Sequence, residues 1–362
     1  MTVIVRSFAK INLGLRIGGG RVDGFHELLT VYQTIGLYDV VRISVKRGNG
    51  IEIKCADLRV PRDESNTCYR IVEKAMQALG VKSNVVIEIE KRLPVQGGLG
   101  GASSNAVAAL VALERALKKQ LPAAEKLRIA AEVGSDLPLF LIGGTVLGVG
   151  RGEQVFPLPD LPATPCVVVT PEVGVSTPRA FAEWDRLHAA YEQTATALRE
   201  DLAWVRSFEE VLPEGLEPAR KQEMIAHERK LTPQSPSDRM KELGRRLSVW
   251  LSEPYSSAPS PFGARRGQAE NPLLWLVRAG IENDFEEVVF PEYPELRKAK
   301  GALLRAGAKY ASLSGSGSTL YGLFESRAAA GRGVIRLRKQ GWAAQASATL
   351  TRAAYWGRMF AR

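Results

Sequence analysis

Along the first half of the chain, apolar and polar residues follow two periods. Thr2–Ile17 carries apolar side chains at alternating and near-alternating positions and reads as strand, a short turn and more strand. Gly18–Thr30 interrupts this with glycines and charges, predicting a loop that leads into a strand or short helix. Asp39–Val45 and Ile51–Cys55 predict two β-strands, read as a hairpin across Lys46–Gly50. Asn66–Leu79 sets Ile71, Ala75, Met76 and Leu79 on one helical face. Val85, Ile87 and Ile89 alternate with Val86, Glu88 and Glu90, a strand, whereas Val107, Leu110, Val111 and Leu117 return to helical spacing. Between them lies Pro94-Val95-Gln96-Gly97-Gly98-Leu99-Gly100-Gly101-Ala102-Ser103-Ser104-Asn105. Ala123–Val133 predicts another helix, and Thr145–Val149 a strand.

The second half is less regular. Cys166–Thr170 predicts a strand, and Ser176-Thr177-Pro178 marks a helix start. Helical spacing recurs over 201–211, 238–251 and 272–281, with an exposed Pro/Ser/Gly-rich loop over 252–271. Tyr293–Ala306 predicts a helix stopped by Gly307. Tyr310–Leu313 runs into a second glycine-serine cluster, Ser314-Gly315-Ser316-Gly317-Ser318-Thr319. Leu320–Phe324 reads as strand, Arg327–Gln340 as helix and Ala343–Leu350 as a last strand. No internal repeat is present.

Composition narrows the class. The 362 residues fill two domains of ordinary size, with 45% hydrophobic and 24% charged residues, as in a globular protein. The net charge of +10 suits an anionic small molecule or nucleic acid, but much of it lies after Glu325, where no acidic residue follows. Without an RRM, KH or helix-turn-helix signature those cations read as a solvated face, and no nucleic-acid partner is expected. Three widely spaced cysteines exclude a disulfide framework and a four-cysteine zinc site, pointing to a reducing cytoplasm. Arg6, Lys10, Asn12 and Arg16 break any N-terminal apolar run, so no signal peptide and no membrane span are expected.

The chemistry concentrates in the glycine loop. Four glycines between a strand and a helix let the backbone approach a ligand, and the helix start offers free N–H groups to a polyanion. The alternative is a turn whose serines cap the helix. Neither a Gly-Lys-Ser/Thr ending nor a dinucleotide fingerprint is present. Lys10 and Asn12 share one face of the first strand, either as site residues or as solvent-facing polar groups. His26 reads equally as a surface histidine. Asp136 follows a helix, where the dipole does not favour a carboxylate, so it is either functional or a turn former.

Five separated stretches, taken together, resemble the GHMP small-molecule kinases. Ala9-Lys10-Ile11-Asn12-Leu13-Gly14-Leu15 is similar to an opening motif of one subfamily, and Asp23-Gly24-Phe25-His26 to its Asp-Gly-Tyr-His segment. Pro94–Ser104 resembles the family's phosphate loop. Gly134-Ser135-Asp136-Leu137-Pro138 resembles Gly-Ala-Asp-Val-Pro, and Ser314-Gly315-Ser316-Gly317 the third motif. Phe25 stands where tyrosine is usual, Ser318 where proline is usual, and 186–270 is longer than the family carries.

The resemblance implies an α+β, two-domain fold, 1–160 and 161–362, with an atypical insertion around 186–270 and the active site in the interdomain cleft. It implies ATP-dependent phosphorylation of an alcohol on a small molecule bearing a cytidine diphosphate, in isoprenoid precursor synthesis. Another GHMP kinase activity, or a non-catalytic sugar-nucleotide binder, are the alternatives. Lys10 and Asp136 would be catalytic, Asp136 as base or orienting carboxylate. Pro94, Val95, Gln96, Gly97, Gly98, Leu99, Gly100, Gly101, Ala102, Ser103 and Ser104 would hold ATP, with Ser103 or Ser104 near Mg²⁺. Asn66 and Lys91 are further candidates for the adenine pocket. Asn12 would help fix the substrate, Phe25 and Phe181 would sandwich the cytosine, and His26 would bond its edge. Monomer and homodimer both remain open.

Overall fold

The computed structural model describes residues 2–189, 239–241, 243–244 and 282–360. Its backbone is a long antiparallel ribbon of β1 (Thr2–Gly20) and β2 (His26–Lys46). The first half of β2 pairs with β5 (Thr145–Gly150), and its second half with β4 (Asn84–Glu90). β3 (Gly50–Cys55) lies beyond β4, and β6 (Gln154–Pro157) beyond β5. Helices α1 (Thr67–Ala78), α2 (Gly101–Leu117), α3 (Ala123–Val133) and α4 (Leu137–Ile142) accompany this sheet.

A second sheet has the order β10-β7-β9-β8, from β7 (Pro165–Val169), β8 (Tyr310–Leu313), β9 (Leu320–Leu323) and β10 (Ala344–Ala348). With it are α5, described over 177–189, α6 (Phe285–Glu292), α7 (Pro294–Arg305) and α8 (Arg327–Lys339). The architecture is α+β, as expected. A last helix, α9 (Arg352–Met359), packs Tyr355 and Met359 into the core of the first sheet.

Three expectations change. Ile51–Cys55 is not the return arm of a hairpin, because β4 lies between β3 and β2 and pairs with β3 in parallel. A parallel pair needs a crossover, which α1 supplies between the two strands. Residues 26–46 form one unbroken strand, so the loop before it is shorter than predicted. β6 and α9 were not anticipated. The helices expected over 201–211 and 272–281 and the loop over 252–271 lie outside the described residues. Of 238–251, residues 239–241 and 243–244 are described and helical.

β1 threads three apolar clusters. Val3, Val5 and Phe8 belong to the core under the first sheet, and Ala9, Ile11 and Leu13 to a middle cluster with Leu93 and Leu99. Leu15 and Ile17 belong to the core of the second sheet. The strand then pairs with the second half of the chain: Leu15 N donates to Glu282 O at 2.9 Å, and Asp284 N to Leu15 O at 3.0 Å. Fully buried Asp284 takes Arg16 at 2.6 Å, Arg239 at 2.7 Å and the Ile17 N–H at 2.9 Å. Burial pushes its carboxyl pKa up despite the two arginines. Register shifts between Phe8 and Lys10, and between Asn12 and Gly14, bracket the middle of β1 and re-aim its side chains.

α9 is held to α4 by Tyr355, whose hydroxyl donates to Phe140 O at 2.7 Å in a buried position. Tyr355→Phe is expected to lower stability by about 1 kcal/mol, the ordinary net worth of such a bond. The check is a reduced urea midpoint at unchanged slope.

Candidate active site

The strand-loop-helix unit is where the sequence placed it. β4 ends at Glu90, and α2 begins at Gly101. Gly98 (φ 80°) and Gly100 (φ 67°) hold the left-handed backbone that makes the turn. Gln96 shares that region (φ 61°) without being glycine. Gly100 is the N-cap of α2, and no side chain caps the helix there. Ser103 and Ser104 stand inside it, so the capping alternative fails. Residues 94–103, with Asn66 and Lys91, line a cavity of about 380 Å³.

The two serines differ. Ser103 lines this cavity. Ser104 is buried, its hydroxyl bonded to Ser7 Oγ and set 3.4 Å from Gly101 O. Of the two serines expected near the cation, Ser103 thus faces this cavity and Ser104 does not line it, since successive helical residues face different sides. Among the described residues, no group of three His, Cys, Asp or Glu side chains is placed to hold a metal ion. A lone hydroxyl beside a phosphate cradle fits Mg²⁺ that arrives largely coordinated by nucleotide oxygens and water.

The third motif closes on the loop. Ser314 Oγ donates to Gly98 O at 3.0 Å, and Thr319 N to Gly97 O at 3.1 Å. A Cβ on Gly317 would stand 2.6 Å from the Gly97 carbonyl carbon, so glycine alone lets the two backbones meet. Asn283 braces the motif from below, donating to Leu313 O at 2.9 Å and Gly315 O at 2.8 Å.

Lys10 and Asp136 converge beside this loop. Lys10 Nζ lies 3.5 Å from Asp136 Oδ2, with the lysine side chain 4% exposed and the aspartate 33%. Lys10 N donates to Leu99 O at 3.0 Å, which fixes the lysine against the loop. Asp136 is not at a helix exit in the unfavourable sense. It occupies the N-cap position of α4, where the dipole favours a carboxylate. Its Oδ1 accepts from Tyr32 Oη at 3.1 Å. Burial, then the neighbouring Asp136 charge, push the Tyr32 phenol well up, so it remains a donor. Nothing in the sequence marked Tyr32, which sits in an apolar strand as any core tyrosine would. Asn12 is buried, accepting from Lys10 Nζ at 2.6 Å and donating to Thr30 Oγ1 at 2.8 Å. One bond at each end of its amide thus goes to the protein, and the second N–H and the second oxygen lone pair remain for a ligand.

Two of the three expected base-binding side chains, His26 and Phe181, meet in one cluster. His26 and Phe181 stack with centroids 4.7 Å apart and planes 13° apart, and Phe181 meets Phe285 edge-on at 4.9 Å. His26 Nε2 lies 2.6 Å from Asp185 Oδ1, an unanticipated partner. Phe25 is half exposed and lies under the Arg151 guanidinium, 4.9 Å from its ring centroid. No ring contact joins Phe25 to Phe181 among the described residues, and Phe181 is packed by His26 and Phe285.

Residues 66–144 match the GHMP kinases N terminal domain, and 273–341 the GHMP kinases C terminal domain. A 4-diphosphocytidyl-2-C-methyl-D-erythritol kinase of Solibacter usitatus (strain Ellin6076) is 34% identical, covering 91% of this chain and 84% of its own length. One of Acaryochloris marina (strain MBIC 11017) is 32% identical, covering 89% and 87%. The crystal structure of a 4-(cytidine 5'-diphospho)-2C-methyl-D-erythritol kinase superposes with TM-score 0.62 at 26% identity, covering 96% of this chain and 99% of that one. A homoserine kinase from Cytophaga hutchinsonii shares the fold, with TM-score 0.60 at 19% identity over 97% and 95%.

Gly317→Ala tests the closure of the two loops. The added methyl meets backbone, which cannot yield, so a loss of about 1–3 kcal/mol is expected. Denaturant unfolding reads this loss, and nucleotide titration should show weakened binding in the same variant.

Proposed function

The chain belongs to the GHMP kinases, and from that premise we propose that it transfers the γ-phosphoryl group of ATP to the 2-hydroxyl of 4-diphosphocytidyl-2-C-methyl-D-erythritol. The observation that carries this reading is the Lys10–Asp136 pair, 3.5 Å apart at the lip of the phosphate loop, in a chain whose relatives bear that kinase name.

The backbone N–H groups around Gly98–Ala102 and the start of α2 cradle the ATP phosphates. Ser103 would stand beside a Mg²⁺ bound with the nucleotide, which would supply charge neutralisation for the transferring group. Asp136 takes the proton of the 2-hydroxyl as that oxygen forms its bond to the γ-phosphorus. The bond from the γ-phosphorus to the β,γ-bridging oxygen breaks, and ADP leaves with the electron pair. Lys10, fixed by Asn12, stabilises negative charge developing on the attacking oxygen. Tyr32 holds the second Asp136 oxygen. The transfer asks chiefly for alignment and charge neutralisation, so this lean set suffices.

Phe25, His26 and Phe181 receive the cytosine, which a smaller acceptor such as homoserine does not carry. A cytoplasmic location accords with three free, buried cysteines. Among the described residues no helix is long and apolar enough to cross a membrane.

A coupled ADP-release assay is expected to show turnover with the cytidyl substrate. Turnover with homoserine or mevalonate in its place would reassign the acceptor within the family. Asp136→Asn, roughly isosteric, is expected to keep ATP and acceptor affinity and to lose on the order of 10²-fold or more in kcat. A full rate in that variant would remove Asp136 as the base.

A further inference from the structure

Asp39 belongs to no motif read from the sequence, yet it is fully buried with four donors converging on it. Its Oδ1 accepts from Arg92 N at 2.6 Å and Leu93 N at 2.8 Å. Its Oδ2 accepts from Asn105 Nδ2 at 3.0 Å and from Lys91 Nζ. Residues 91–93 precede the phosphate loop and Asn105 follows it, so one carboxylate on β2 ties both ends of the loop together.

We infer that Asp39 is a positioning residue for nucleotide binding, a clasp that sets the span of the phosphate loop and aims two cavity-wall side chains. This rests on the loop being the ATP site. Two geometric facts carry the inference beyond ordinary core packing. An ionised carboxylate only accepts hydrogen bonds, so Asn105 must turn its amide nitrogen to Asp39. That leaves Asn105 Oδ1 buried without a protein partner, on a side chain that lines the nucleotide cavity. Lys91, also on that wall, is drawn beneath the start of α2, where a Cβ on Gly101 would lie 3.2 Å from its Nζ. Asp39 thus fixes the amide orientation, the ammonium position and both loop ends at once. Such preorganisation lowers the entropy lost when the loop closes on a ligand.

The test is direct ATP titration of the full chain without acceptor, alongside KM values for both substrates. In Asp39→Asn the amide oxygen still accepts from residues 92 and 93, but the pairing with Lys91 is lost and Asn105 keeps a partner at 39 only by reversing its amide. At least tenfold weaker ATP binding is expected, with the acceptor KM changed less than twofold. Equal or tighter ATP binding would overturn the proposal, tighter binding meaning that Asp39 acts only as a negative charge near a polyanion. Equal losses for ATP and acceptor would overturn it as well, marking a general structural role. Should Asp39→Asn fail to fold, Asn105→Ala cuts one arm of the clasp and decides. At least threefold weaker ATP binding at an unchanged acceptor KM supports the clasp, and unchanged binding sinks it. Absence of ATP binding by the unaltered protein would instead strike the kinase reading itself.

Discussion

Lys10 keeps an ammonium group where water scarcely reaches, and the cleft is assembled around it. The side chain leaves the middle of β1 between two register shifts, with Ala9, Ile11 and Leu13 sealed into apolar packing on either side. A buried ammonium without partners costs several kcal/mol. Here it is met by the Asn12 amide oxygen at 2.6 Å, the Asp136 carboxylate at 3.5 Å and the face of Tyr32, whose centroid lies 5.6 Å away. Those groups come from β1, the start of α4 and β2. Correct folding of all three elements is thus a condition for satisfying one charge, and the same condition brings the proposed reacting groups together. Asp136 is the partner left partly open, as its proposed role toward an acceptor hydroxyl requires.

The second constraint is steric. The loop lining the nucleotide cavity comes from residues 94–103, yet its far side is set by residues 314–319 from the other half of the chain. Ser314–Gly317 line none of that cavity. They press against the back of Gly97 and Gly98 so closely that a methyl group does not fit. The second sheet therefore contributes rigidity to a site whose walls belong to the first. β1 makes the same connection by running through all three apolar clusters and pairing with 282–284. The halves are joined by backbone as well as by side chains.

Much of this was legible because it is local. The alternation of Val85, Ile87 and Ile89, the spacing of Val107 to Leu117 and the glycines between them define strand, loop and helix without knowledge of anything distant. Lys10 and Asp136 were legible through family resemblance, not through their own surroundings. Unaided, a strand lysine reads as solvated, and the aspartate seemed to oppose a helix dipole until α4 appeared beyond it. Pairing was not legible: Ile51–Cys55 carries no mark saying that Val85–Ile89 will come between it and β2, since the decision lies in how α1 crosses over. Asp39 and Tyr32 were missed for a related reason. Each is a polar residue of β2 with no motif around it, and its importance lies in partners 52 to 104 positions away, at Lys91 and Asn105 or at Asp136. Serines 103 and 104 were indistinguishable by type, and only the phase of α2 separates them.

The likeness to a homoserine kinase at TM-score 0.60 shows that fold alone does not choose the acceptor. Phosphate cradle, lysine and carboxylate describe transfer to some hydroxyl, and they would serve many. Discrimination has to come from groups outside that set, and the residues proposed for it lie where β2 begins. His26 begins β2 and stacks on Phe181 of α5, Asp185 holds its ring nitrogen, and Arg151 covers Phe25. A hydrogen-bonding, aromatic site rejects a ligand lacking the matching edge more strongly than an apolar pocket does, because its polar groups are then left unpaired. Phe25 gives up the hydroxyl usual at its position, and Arg151 lays a flat cation on the ring in that region. On the proposed reading, acceptor choice and phosphoryl chemistry sit on one continuous strand pair but on separate side chains. Changing the first without dismantling the second is therefore physically open to this scaffold.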